Sequence, residues 1–413
     1  MKNIIVTSLL ISMIIFYSCK EKATNPPDTP LPEGYQQDIP WTSLADSPWP
    51  MNHHDPQNTG RSIFVGPKSG TNYIVIPTTW QESGVSIGKD SSIYFATMAN
   101  IFSYKLNGQL NWQRLIDTLG YEIFSTPLVS SNGNIFVVTP LTGRVSCYDG
   151  VGTMIWTYKN SKKIWQKTLA IDKVGNLYFV DAGSTLVVLS SQGQLLWSLT
   201  DSRFMWSSYT GLVFSPDGKT LYTAGFNPAL LAIDISQRQV KWGFGNHLSR
   251  REPMVDAQGN IYLLTKTDSS SGEQPALYSL KPDGTVRWVY IHKNILEDGI
   301  VANSPTIDKN GNIYFAFDSL YSVDYQGKLR WKQLLPGIAD CPLVCDAEGM
   351  VYAGSSIHDQ LFITIKAFNS NGALVWENNF PVGISGQVGG SPAILNSRLI
   401  FPAWRSREIF LIQ

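Results

Sequence analysis

Seven tryptophans at a near-constant interval constrain this chain more than any other feature in it. NGQLNW ends at Trp112, VGTMIW at Trp156, QGQLLW at Trp197 and QRQVKW at Trp242, followed by DGTVRW at Trp288, QGKLRW at Trp331 and NGALVW at Trp376. The mean spacing is about 44 residues, a period that signals stacked copies of one supersecondary unit rather than several unrelated domains. Six of the seven copies place Gly four residues before the Trp; in the fourth, Arg238 stands there.

A second motif interleaves with the first. It reads TPLVSSNGNIFVV (126–138), EPMVDAQGNIYLL (252–264), SPTIDKNGNIYFA (304–316) and CPLVCDAEGMVYA (341–353), with looser copies at 86–96, 168–180, 211–224 and 391–403. Each is a pair of short β-branched or aromatic runs around a Gly, Asn or Asp turn, the pattern of a β-hairpin. A third apolar run follows every hairpin, so one period holds four short strands. Four antiparallel strands per repeat make a propeller blade. The eighth copy stops at Gln413 without its Trp strand, while NYIVIPTTW (72–80) precedes the first hairpin with no blade of its own. The expected fold is all-β, an eight-bladed propeller of four-stranded blades, the last closed by that N-terminal strand.

The ends of the chain read differently. Residues 1–18 have a positive start at Lys2 and a charge-free apolar run from Ile4 to Ser18, too short to span a bilayer comfortably as a helix. The run ends in Phe16-Tyr17-Ser18-Cys19, which resembles a bacterial lipoprotein box. The expectation is a signal peptide over 1–18 and lipidation at Cys19. Pro-rich, apolar-poor sequence then predicts a flexible tether to residue 46. The propeller is assigned 47–413, with 47–71 as a capping segment. Lys+Arg and Asp+Glu both number 32, and no basic run exists to neutralise a phosphate backbone, so nucleic acid is not an expected partner.

The Gly-x-x-x-Trp spacing resembles the tryptophan-docking motif of the pyrroloquinoline-quinone-like (quinoprotein-type) repeat family, and Ala232, Asp234 and Trp242 match its fuller form. The resemblance covers about residues 47–413 and implies that the seven Trp pack between neighbouring blades. Together with the lipoprotein box, it makes the chain similar to the propeller lipoproteins of outer-membrane β-barrel assembly. That likeness implies a non-enzymatic, lipid-anchored, monomeric scaffold binding a protein partner at the cell envelope. A surface propeller binding a ligand or carbohydrate is one alternative, and a quinone-dependent dehydrogenase is another. The short repeats leave little room for the insertions such enzymes carry, and no adjacent Cys pair is present, so no cofactor is expected.

Candidate chemistry is sparse. His53-His54-Asp55 is the one cluster of metal-ligand types, and its flanks suggest a segment docked on the propeller. Asp256 and Asp308 open turns that superficially resemble calcium loops; an Asp capping a Gly turn explains them without metal. Cys341 and Cys345 lie four residues apart on a strand, beyond disulfide reach, and no bridge is expected. Recognition is expected on the face carrying the longer connections, because loops on a rigid scaffold carry binding. The candidate contacts there are Trp165, Trp206, Tyr209, Arg250, Arg251, Trp404 and Arg405.

Overall fold

Runs such as Ile93–Ala96, Ile135–Thr139, Leu177–Val180 and Ile313–Ala316 form the second strands of their blades, and all their residues are buried. They lack alternation because neighbouring blades cover both faces. The fourth strands, among them Met154–Lys159 and Leu195–Thr200, alternate exposed with half-buried positions and make the outer rim.

The computed structural model describes residues 31–413 apart from 79–82, 98, 117–124, 166–168, 206, 208–209, 250, 268–271, 293–302, 338, 340, 358–359, 384–386 and 405–406. Residues 33–413 form one unit of eight sheets. Seven are four-stranded and antiparallel, with strands paired in chain order: blades 1 (86–115), 2 (128–159), 3 (170–200), 4 (212–244), 5 (254–291), 6 (306–334) and 7 (344–381). Blade 8 takes its outer strand from Tyr73–Pro77 and the rest from the C-terminus, where two short strands, Gln387–Val388 and Ala393–Leu395, both pair with Arg398–Trp404. The outer strand runs antiparallel to Glu408–Ile412, from Tyr73 opposite Ile412 to Pro77 opposite Glu408. The ring is thus closed by the strand anticipated at 72–80; Thr79 and Trp80 lie outside the described residues. Among the described residues, no helix is long and apolar enough to cross a membrane.

The repeat motifs explain how one blade locks to the next. Trp112 donates its indole N–H to Gly150 O at 2.9 Å, Trp156 to Ser191 O at 3.1 Å, and Trp288 to Tyr325 O at 3.0 Å. Trp331 reaches Ser370 O and Trp376 reaches Pro67 O, both at 3.0 Å. The motif Gly of the following blade lies against the rings of Trp112, Trp156, Trp288 and Trp331, and Gly70 takes that place against Trp376. A Cβ on Gly152 would sit 2.7 Å from Trp112, and one on Gly372 would sit 2.7 Å from Trp331. Where Arg238 replaces that Gly, its guanidinium covers Trp197 at 5.4 Å. Trp242 is half-buried, and its indole nitrogen meets no acceptor among the described residues. In blades 1–7 a β-bulge falls on the fourth strand at the residue just before the Trp: Ser103 pairs with Trp112 and Tyr104 with Leu110, which leaves Asn111 as the extra residue. Such bulges bend and twist the outer edge.

The Asp turns form a second repeated device. Asp308 Oδ1 accepts the N–H groups of Asn310 and Asn312 at 2.9 Å, and Oδ2 accepts Asn312 Nδ2 and the Tyr314 hydroxyl, both at 2.7 Å. Asp256 and Asp172 repeat this arrangement with Asn260 and Tyr262, and with Asn176 and Tyr178. The carboxylates are engaged in closing the hairpins, the role expected for Asp256 and Asp308. Cys147, Cys341 and Cys345 are reduced thiols, all buried.

Candidate functional site

The first strand of each blade is only two or three residues long, and first strands of adjacent blades touch around the ring axis. Such a strand has an inward edge with unpaired N–H groups, which must find acceptors if the axis is dry. The chain supplies them from its own N-terminal segment. The N–H groups of Ile87, Val129, Phe214, Val255, Ile307 and Cys345 donate in turn to the carbonyls of Trp49, Pro50, Pro56, Gln57, Thr59 and Gly60, at 2.7–3.3 Å. All six donors end a first strand, immediately before a short hairpin turn, so residues 49–60 plug the axis at the short-turn face. Blade 3 is tied differently, by the Trp41 indole N–H to Ile171 O at 2.9 Å.

The plug extends into the segment expected to be a tether. Gln36 donates its backbone N–H to Lys309 O at 2.9 Å, and its side chain accepts the N–H of Ala257 at 2.8 Å. Trp41 is buried, and Leu44 bridges Ser130. Residues 34–46 are thus docked on the blades, because main-chain groups and one indole supply contacts that a Pro-rich composition does not reveal.

His53, His54 and Asp55 lie inside the plug. Asp55 Oδ1 accepts the N–H groups of Gln57 at 3.1 Å and Thr59 at 3.0 Å, and Oδ2 faces His54 Nδ1 at 3.1 Å and the Thr59 hydroxyl. Burial opposes its ionisation, but the hydrogen bonds from His54 and Thr59 outweigh this and hold the carboxyl below its ordinary range. His53 is fully buried, and its Nε2–H donates to Leu343 O at 2.7 Å. Burial keeps this ring below its ordinary 6.5, against the opposing pull of the Leu343 carbonyl, Asp55 and Glu252. Among the described residues no group of three or more His, Cys, Asp or Glu is arranged to hold a metal ion.

The long-loop face is the opposite end. Trp165 is half-buried there, with Lys163 Nζ 5.4 Å from its ring centre. Arg251 is buried rather than displayed. Trp404 ends the strand Arg398–Trp404, opposite Gln387. Trp206, Tyr209, Arg250 and Arg405 lie outside the described residues. Two apolar side chains of this face were not singled out in the sequence. Met205, just after the short helical turn Ser202–Phe204, is 61% exposed, and Phe226, in the hairpin of blade 4, is 47% exposed. Their signal was weak because single apolar residues in loops are ordinary. Glu252 was also passed over, although it stands before Pro253 where other copies have Thr, Ser or Cys.

Known proteins share this architecture. Residues 97–243 match a family model described as "Outer membrane protein assembly factor BamB". BamB from Moraxella catarrhalis superposes with a TM-score of 0.61 at 13% identity, covering 83% of this chain and 99% of that one. A europium-containing methanol dehydrogenase gives 0.58 at 12% identity, covering 87% and 90%. The Dos1 propeller gives 0.59 at 12% identity, covering 82% and 93%. At these identities the structural likeness establishes the fold alone. No curated protein matches the sequence.

Proposed function

We propose that this chain, a propeller of the pyrroloquinoline-quinone-like repeat family, is a non-enzymatic scaffold that binds a protein partner at the cell envelope through its long-loop face. The observation that carries this reading is the plug. With residues 49–60 bound along six first strands, the short-turn end of the axis is filled by the chain itself. Recognition then falls to the opposite rim, where Trp165, Met205 and Phe226 offer aromatic and apolar surface beside Lys163. Large apolar side chains on a rigid loop face are the usual anchors of protein interfaces.

The family description over residues 97–243 supports an envelope location and, more specifically, a role in outer-membrane protein assembly. On this reading Cys19 carries the lipid.

Affinity capture of the tagged full-length chain from detergent-solubilised membranes of its own host tests the proposal. Subunits of the barrel-assembly machinery are expected to co-purify, and Trp165→Ala is expected to weaken the capture without altering the melting temperature. Capture of no envelope protein, or capture indifferent to every change on the long-loop face, would overturn it. Cys19→Ala is expected to move the protein from the membrane to the soluble fraction.

A further inference from the structure

The connection from blade 2 to blade 3 assembles a basic surface on the long-loop face. It reads YKNSKKIW over residues 158–165 and folds back on the hairpins of both blades. Asn160 donates its N–H to Gly143 O at 2.8 Å, Ile164 donates to Pro140 O at 3.0 Å, and Lys163 O accepts from Ala182 at 2.8 Å. A Cβ on Gly143 would strike Lys162 O, and one on Gly183 would stand 3.2 Å from Lys162 Cγ. Arg144 lies opposite Lys159 in the strand register, and Lys163 Nζ is 5.4 Å from the centre of the Trp165 ring. Four exposed cations are thereby held on two adjoining hairpins beside one half-buried indole.

The acids of the same region do not balance them. Asp181 is 4% exposed, and its oxygens accept the N–H groups of Gly183 at 2.8 Å and Thr185 at 3.1 Å, and Asn160 Nδ2 at 2.9 Å. Asp201, whose N–H bonds to Ser184 O, is held by the Arg203 guanidinium at 2.6 and 2.9 Å. Among the described residues, Arg144, Lys159, Lys162 and Lys163 make no ion pair. The whole chain carries 32 basic and 32 acidic residues, so this is local segregation of charge, not general basicity. It also works against folding, because like charges directly opposite on an antiparallel pair repel. Lys159 Nζ turns aside to Thr142 O.

We propose that Arg144, Lys159, Lys162 and Lys163, beside Trp165, dock an acidic segment of the protein partner. This rests on the long-loop face being the recognition surface and adds the chemistry of what is recognised there. Carboxylates of the partner supply the counter-charge that this region of the chain withholds, and the indole adds an apolar anchor. An anionic bilayer suits the surface less well. Binding in a lipid interface uses large apolar side chains that enter it, and none is exposed in residues 139–144, 159–165 or 181–185.

Binding of a fluorescent, end-capped hexaglutamate peptide to the full-length protein, read by anisotropy, tests this, with hexaglutamine as the control. Saturable binding of hexaglutamate alone is expected, and it should vanish at about 0.5 M sodium chloride, where screening acts within roughly 4 Å. Lys162→Glu and Arg144→Glu should each weaken it by roughly tenfold or more. Arg144→Glu exchanges a repulsive cross-strand pair for an attractive one, so its melting temperature should be unchanged or higher. A purely structural role for these residues would not weaken binding while sparing stability. If Arg144→Glu fails to fold, Lys162→Glu decides. No binding by the wild type, or binding undiminished in Lys162→Glu, overturns the proposal. So does displacement of the peptide by vesicles of equal phosphatidylglycerol and phosphatidylcholine, but not by phosphatidylcholine alone, which would assign the surface to anionic lipid. The peptide assay needs no captured partner, and capture through apolar contacts would survive its failure, so this proposal and the scaffold reading fail separately.

Discussion

Replacing Ile76 and Val75 by alanine, one at a time, tests how the ring is closed. Both lie in the closing strand, opposite Ile409 and Phe410, but they face opposite ways. Ile76 has no exposure and belongs to the apolar cluster that joins blades 7, 8 and 1; Val75 is 41% exposed. Ile76→Ala removes about three methyl or methylene groups at roughly 0.8 kcal/mol each, and the residual cavity raises the cost to about 3 kcal/mol. Val75→Ala loses little buried surface and is expected within about 0.5 kcal/mol of the wild type. Equilibrium urea unfolding, followed by Trp fluorescence, measures both. Equal costs, or a negligible cost for Ile76→Ala, would refute a closure that depends on this strand's inward face.

Three further outcomes follow from the same geometry. Gly152→Ala drives a Cβ to 2.7 Å from Trp112 at a φ of +82°, whereas Gly133→Ala meets nothing within 4 Å at a φ of +81°. The first is expected to cost more than the second by about 1–3 kcal/mol, and equal urea midpoints would deny the glycine its docking role. His53 and His292 are both held below their ordinary 6.5, chiefly by burial, so the unfolded chain gains protons first as pH falls. Stability is therefore complete above 6.5 and declines below it, by up to about 1.4 kcal/mol per pH unit for each His. Urea midpoints across that range should flatten in His292→Asn; an unchanged slope contradicts the assignment. Trp376→Ala, which removes a buried ring and its bond to Pro67 O, should destabilise by about 3–5 kcal/mol in the same assay. A loss under about 1 kcal/mol would show that the capping segment does not rely on it.

Much of the fold was legible because it is written in repeated side chains. A Trp, a Gly four residues before it and an Asp–Gly–Asn turn each act within a few residues of themselves, so their period is visible along the chain. The closing strand was legible by arithmetic, since one blade lacked a strand and one strand lacked a blade. The plug was not. Its bonds to the blades are carbonyls from Trp49 to Gly60, and any residue type can supply a carbonyl, so no side-chain pattern announces it. Residues 34–46 were misleading for the same reason: their composition reads as tether, while Gln36 and Trp41 tie them down. At the candidate site, Arg251 drew attention through its charge although it is buried. Glu252 beside it went unremarked because its anomaly exists only when the eight copies are set in register.

The central claim is that the long-loop face, not the plugged short-turn face, meets the partner. Site-specific photo-crosslinking in intact cells tests it directly, with the reactive residue placed at Met205 or Phe226 on one face and at Val174 on the other. All three side chains are exposed, Val174 the most at 80%, so reach does not favour the expected result. Adducts with an envelope protein from Met205 and Phe226, and none from Val174, are predicted; adducts from Val174 alone would contradict the account.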